Sequence, residues 1–170
     1  MKKQRIRELT FVSLCVAIMA VLSQIAIPIG AVPITIQAFV VALIGYFLGL
    51  KLGLATIIVY ILLGLVGVPV FASFQGGLHT LISYTGGFIF GYLPFVVLCG
   101  IKGRAGTKIA LGICGLVLCH LTGILQYMCL SELGIFKASL VVSLPFLLKD
   151  VLLVIGAYFV SQVLHRRLKI

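Results

Sequence analysis

Only three acidic residues occur in this chain, and one of them, Asp150, sits within an apolar segment beside Lys149. A charge at the centre of a membrane-spanning helix costs about 2.5–3.5 kcal/mol even on the gentler scales, so it faces a cavity or a partner. Neighbouring helical residues point about 100° apart and do not face one another. Lys149 and Asp150 are therefore not expected merely to neutralise each other, and Asp150 is expected to face a ligand. If its helix begins at Pro145, Asp150 lies roughly 7 Å below the outer end. Glu8 at the inner membrane boundary and Glu132 in an outer loop are both expected to be wet.

Catalytic chemistry finds little support. A carboxylate dyad needs two acids sharing a proton, and only one lies within the apolar segments. A nucleophile needs a base that a third group orients, yet His79 and His120 lie on different segments and no serine sits in a recognisable elbow. The adjacent Cys119 and His120 read as packing plus a hydrogen bond. All five cysteines read as small hydrophobes, without the spacing of a metal site. No phosphate-binding loop is present, so the chain cannot itself couple ATP to work. No catalytic residue, cofactor or metal is expected.

The elements that must position Asp150 are membrane helices. Hydrophobic residues make up 62% of the 170 and charged residues 9%, against about 25% charged in soluble domains. No Asp, Glu, Lys or Arg occurs in 9–50 or in 52–101, and each block is long enough for two crossings of a hydrocarbon core about 30 Å thick. Pro, Gly and the few charges divide a single transmembrane domain, 1–170, into six segments at about 9–27, 34–50, 53–68, 81–99, 109–130 and 140–164. Lys51 and Gly53 suggest a tight turn between the second and third. Runs such as Ile57 to Leu63 do not alternate as barrel strands would, so the fold class is an all-α membrane bundle. The first apolar run is expected to stay as a helix rather than be removed as a signal peptide.

Cytoplasmic loops are rich in Lys and Arg. With both termini cytoplasmic, Lys2, Lys3, Arg5, Arg7, Lys51, Lys102, Arg104, Lys108, Arg166, Arg167 and Lys169 all lie inside, which leaves only Lys137 and Lys149. The net charge of +10 thus has a topological explanation, and no basic stripe interleaved with aromatics suggests nucleic acid. Small residues at four-residue spacing, Ser13 with Ala17 and Gly45 with Gly49 and Gly53, allow close helix approach.

The stretch Val32-Pro33-Ile34-Thr35-Ile36-Gln37 resembles the first loop and second helix of the BioY family of biotin transporters. The similarity continues in order through Gly45, Leu48-Gly49, Lys51-Leu52-Gly53, Tyr60, Gly64 to Phe71, Gly76-Gly77 and Thr85-Gly86-Gly87-Phe88. It ends on Pro145-Phe146-Leu147-Leu148-Lys149-Asp150 in the last helix. The resemblance implies a six-helix substrate-binding component (S component) of an energy-coupling factor transporter, multi-pass in the plasma membrane. It implies capture of biotin from outside, and association with a transmembrane coupling protein and two cytoplasmic ATPases. The coupling protein would dock on the first helix at an Ala-x-x-x-Ala-type surface, here Ser13 and Ala17.

The ligand chemistry that follows places the ureido N–H groups of biotin on Asp150 and its carbonyl on an amide such as Gln37. Where the family commonly has Lys three residues after the Asp, this sequence has Leu153, so Lys149 becomes the candidate for the carboxylate tail. Tyr84 and His79 replace commoner family residues and are candidate lid residues beside Gly86 and Gly87, and Gln126 is a further polar candidate. The rival readings are an S component for another vitamin, a membrane-embedded enzyme using His120 or Asp150, and a structural subunit.

Overall fold

In the computed structural model, which describes residues 2–28, 30 and 32–168, the longest helical stretch reverses at a single glycine. This stretch, α2 (Gln37–Leu65), has Gly49 at φ 75°, ψ −179°, a backbone region open essentially to glycine alone. Gln37 Nε2 lies 3.4 Å from Tyr60 Oη. In a straight helix, residues this far apart in sequence would be separated by about 34 Å. The two limbs of α2 are therefore antiparallel. Gly45 and Gly53 lie side by side across the limbs and make room for a neighbouring helix: a Cβ at Gly45 would lie 2.5 Å from the Cys99 Cβ and one at Gly53 3.1 Å from Val96 Cγ2. The reversal falls at Gly49 rather than at Lys51, and Gly53 packs against Val96 instead of making the turn.

Six further α-helices and a 3-10 turn (Ala72–Phe74) are found among the described residues. The α-helices are α1 (Lys2–Leu22), α3 (Leu78–Leu81), α4 (Gly86–Cys99), α5 (Ala105–Ser131), α6 (Ile135–Val142) and α7 (Leu144–Leu168). Two short strands, β1 (Ala26–Ile27) and β2 (Ile34–Thr35), pair antiparallel between α1 and α2. The segment expected over 140–164 is divided: the chain breaks at Ser143 (φ −130°, ψ −60°) and restarts as α7. Pro145 falls in the first turn of α7, where its missing N–H costs nothing. By length and composition α5 and α7 can cross a membrane; the 29 residues of α2 are divided between its two limbs, and α4 is a shorter apolar helix.

The distribution of polarity is inverted relative to a soluble protein. Val21, Leu62, Leu148, Leu152 and Phe159 are exposed, whereas Ser23, Gln37, His120, Asp150 and Ser161 are buried. Such an apolar exterior suits hydrocarbon, and the buried polar groups must then find partners inside. Inside, α2 packs on α1, α4 and α7, and α4 packs on α5. Met19, Tyr46, Tyr60, Phe71 and Phe95 fill the centre.

Side-chain contacts define two ends. At one end Phe47 meets Phe11 and His165, Tyr46 Oη donates to the Lys108 carbonyl, and Gly100 packs on Leu50. Lys51, Lys102, Arg104, Arg166 and Arg167 belong to this end by sequence; Lys169 lies outside the described residues. The β1–β2 hairpin and the 69–85 connection belong to the other end, and Ser23, Gln37, Thr80, His120, Ser143 and Asp150 are buried toward it.

Because nothing presses on Gly49 closer than 3.9 Å, Gly49→Ala tests backbone strain rather than a clash. It should cost about 1–3 kcal/mol and lower the melting temperature in detergent. Gly156→Ala, a helical site open to space, should not. Equal melting of the two variants would contradict the assigned reversal.

Candidate functional site

Four helices bring polar groups together beneath the hairpin. Gln37, the first residue of α2, donates from Nε2 to Ser23 Oγ just past α1 (3.0 Å) and to Tyr60 Oη on the second limb (3.4 Å). Its Oε1 accepts from Tyr92 Oη of α4 at 2.9 Å. Tyr60 in turn donates to the Val70 carbonyl at 2.9 Å, which fixes the start of the outer connection. Gln24 holds the same connection from the side, accepting from the Phe74 backbone N–H at 2.7 Å.

On the facing side Asp150 projects from α7 between two basic groups. Lys149 Nζ lies 2.6 Å from Oδ1, and His120 Nε2 of α5 lies 3.4 Å from Oδ2. His120 Nδ1 pairs with Ser143 Oγ at 2.9 Å. Lys149 also donates to the Thr35 carbonyl of β2 at 2.6 Å. Asp150 is 7% exposed. Its Oδ1 is fully buried against the Lys149 ammonium, in an ion pair without regular hydrogen-bond geometry. A carboxylate offers about four acceptor positions, so Lys149 and His120 leave acceptor capacity for an incoming N–H.

Between these two clusters is a cavity of about 380 Å³, within the usual range for small-molecule sites. Gln37, His79, Tyr84, Tyr92, His120, Lys149 and Asp150 line it, with Phe71, Phe88, Phe95 and Phe146 supplying apolar wall. Its rim is built from Pro28, Pro33, Thr35, Gln75 and Ser83, all on the connections of the outer end. The arrangement can seat a small, partly apolar molecule that offers N–H groups to Asp150. Among the described residues no cluster of His, Cys, Asp and Glu could hold a metal.

Several sequence expectations need correction. Lys149 and Asp150 do meet, because the flexible four-carbon stem of lysine bends back and the Thr35 carbonyl anchors its tip. Gln37 lines the cavity, but both N–H groups of its amide are spent on Ser23 and Tyr60, so none is free for a ligand carbonyl. Gln126 does not line the cavity: its Nε2 donates to the Leu81 and Ser83 carbonyls at 2.8 and 2.7 Å. Gly86 and Gly87 are not in the lining either. A Cβ at Gly87 would sit 2.9 Å from the Gly123 Cα, and one at Gly86 would strike the Leu81 carbonyl, so both serve close packing. His79 and Tyr84 line the cavity from the rim and are exposed. Ser13 and Ala17 lie on an exposed face of α1 and do not line the cavity.

The sequence singles out His120 only for the rival enzyme reading, not as a ligand-site residue, and does not single out Tyr92. For His120 a signal existed, since an imidazole inside an apolar run needs a buried partner for the same reason as Asp150. Tyr92 carried none, because tyrosine is common in membrane helices.

A family model described as the BioY family matches residues 1–170. A probable biotin transporter BioY of Pyrococcus horikoshii is 36% identical over 157 residues, spanning 92% of this chain and 94% of that protein. The biotin transporter BioY of Thermotoga maritima is 37% identical over 122 residues, spanning 69% and 72%. In three dimensions the chain is similar to the crystal structure of the S-component for biotin from an ECF-type ABC transporter. The TM-score is 0.90 at 22% identity, over 98% of this chain and 94% of the other.

The role given to Gln126 is open to test. Gln126→Leu removes both donors to the Leu81 and Ser83 carbonyls, so amide hydrogen exchange over 78–85 should rise about 5- to 150-fold for a loss of about 1–3 kcal/mol. Unchanged exchange there would show that other contacts hold the segment.

Proposed function

The chain belongs to the BioY family, and from that membership we propose that it is the biotin-binding subunit of a vitamin-uptake transporter. It is a multi-pass protein of the plasma membrane and not an enzyme. The observation that carries the reading is the buried Asp150 carboxylate in the wall of a cavity of about 380 Å³. A ureido N–H is a strong donor of suitable size for that carboxylate, and a hydrogen bond to a charged acceptor is worth about 1.5–3 kcal/mol. Phe71, Phe88, Phe95 and Phe146 supply the apolar cover that fused rings need.

The tail carboxylate is left to the rim. Lys149 is held by Asp150 and Thr35, while His79 and Tyr84 stand at the opening. In the bilayer the six helical runs, α1, the two limbs of α2, α4, α5 and α7, each cross once. The basic end faces the cytoplasm as the distribution of Lys and Arg favours, which opens the cavity to the outside. Ser13 and Ala17, exposed on α1 with Leu14 and Ile18 beside them, then present a small-residue face to a transmembrane coupling protein, and two cytoplasmic ATPases energise release.

Equilibrium binding of labelled biotin to detergent-purified protein tests the ligand. Saturable binding displaced by biotin but not by riboflavin or thiamin is expected, and displacement by another vitamin would reassign the substrate. Asp150→Asn should weaken biotin binding about 10- to 100-fold with insertion and expression intact. Co-expressed coupling protein and ATPases should co-purify with the wild type and not with Ser13→Leu plus Ala17→Leu. Retention of the complex by that double variant would move the docking face elsewhere.

A further inference from the structure

We propose that His120, held by Ser143, is a positioning residue for ligand capture: it fixes the plane of the Asp150 carboxylate in the cavity wall. The inference rests on the reading above that Asp150 receives a ligand N–H. A carboxylate turns easily about its last torsion, which is broad and nearly two-fold, so burial alone does not fix the plane in which its oxygens meet a ligand. Lys149 holds one oxygen, Oδ1, from a side chain that is one-third exposed and shared with the Thr35 carbonyl. A second, buried contact is needed to fix the plane, and His120 supplies it. It is 5% exposed, and its Nε2 lies 3.4 Å from Oδ2, the other oxygen.

The imidazole is itself held from two directions. An ionised carboxylate only accepts, so Nε2 carries the proton, and Nδ1 is left to pair with the Ser143 hydroxyl at 2.9 Å. Phe88 meets the ring edge-on, with centroids 5.7 Å apart and planes at 88°, which blocks rotation of the ring. Ser143 is the residue at which α6 breaks from α7, so the chain Ser143–His120–Asp150 ties that break to α5 and to the cavity floor. Ser143 is buried and does not line the cavity. Its hydroxyl therefore cannot act on a ligand as a nucleophile, despite the resemblance of the trio to a hydrolytic one. The role left to it is to orient His120.

Biotin binding by wild type, His120→Phe, His120→Gln and Ser143→Ala tests this, with thermal melting of each variant measured without ligand. The Gln amide can place a donor near the position of Nε2, whereas Phe fills the space without one. His120→Phe should weaken biotin binding about tenfold or more, His120→Gln should recover most of it, and Ser143→Ala should weaken it several-fold. Binding that falls equally in Phe and Gln variants, in step with their melting, would make His120 a structural tie and overturn the proposal. Should His120→Phe not fold, the Gln and Ser143→Ala variants decide, and wild-type affinity in Ser143→Ala counts against it. Wild-type protein that ignores biotin overturns the functional reading and this inference with it. Biotin binding untouched by His120→Phe overturns this inference alone.

Discussion

A carboxylate held out of water beside an ammonium and an imidazole is the interaction on which the cavity end of this molecule depends. Asp150, Lys149 and His120 come from two helices, and their contacts reach the β1–β2 hairpin through Thr35 and the α6–α7 break through Ser143. Breaking a buried pair by removing one partner is costly, because the remaining charge has no water to turn to. Hairpin, α5, α6 and α7 thus share one electrostatic centre. The opposite wall has a neutral counterpart in Gln37, whose amide joins α1, α2 and α4 through Ser23, Tyr60 and Tyr92. The cavity is the space between two polar clusters that each hold their helices together.

Much of this architecture is legible from charge placement alone. Hydrocarbon admits only closed backbone structures, so long charge-free stretches in this chain leave few alternatives to helices. The mostly helical fold, the membrane location and the family follow from that and from the ordered motifs. Asp150 stands out for the same physical reason, as a charge where charge is expensive.

What sequence could not supply was direction. Gln37 and Gln126 look alike as buried amides, yet one borders the cavity with its donors spent and the other ties down a connection 45 residues away. Which carbonyl an amide finds depends on tertiary contacts that no spacing rule encodes. The glycines posed the same difficulty. Gly86 and Gly87 sit in a motif that suggests a ligand, but the atoms a side chain would strike belong to Leu81 and to α5. Lysine deceives in the opposite way: the helical angle between Lys149 and Asp150 argues against a meeting, and the length of the lysine stem overrules it.

Gln24 gives α1 a mechanical character. Its side chain donates back to the Ala20 carbonyl and accepts from the Phe74 N–H, so the end of α1 and the outer connection are joined by one short strut. The helix itself is 21 residues, about 31 Å of stiff rod, and its far end carries Lys2, Lys3, Arg5 and Arg7. A small tilt of such a rod about its basic end would be magnified along its length and carried through Gln24 to the connection beside the cavity rim. The rim would then move while the cavity floor stayed in place.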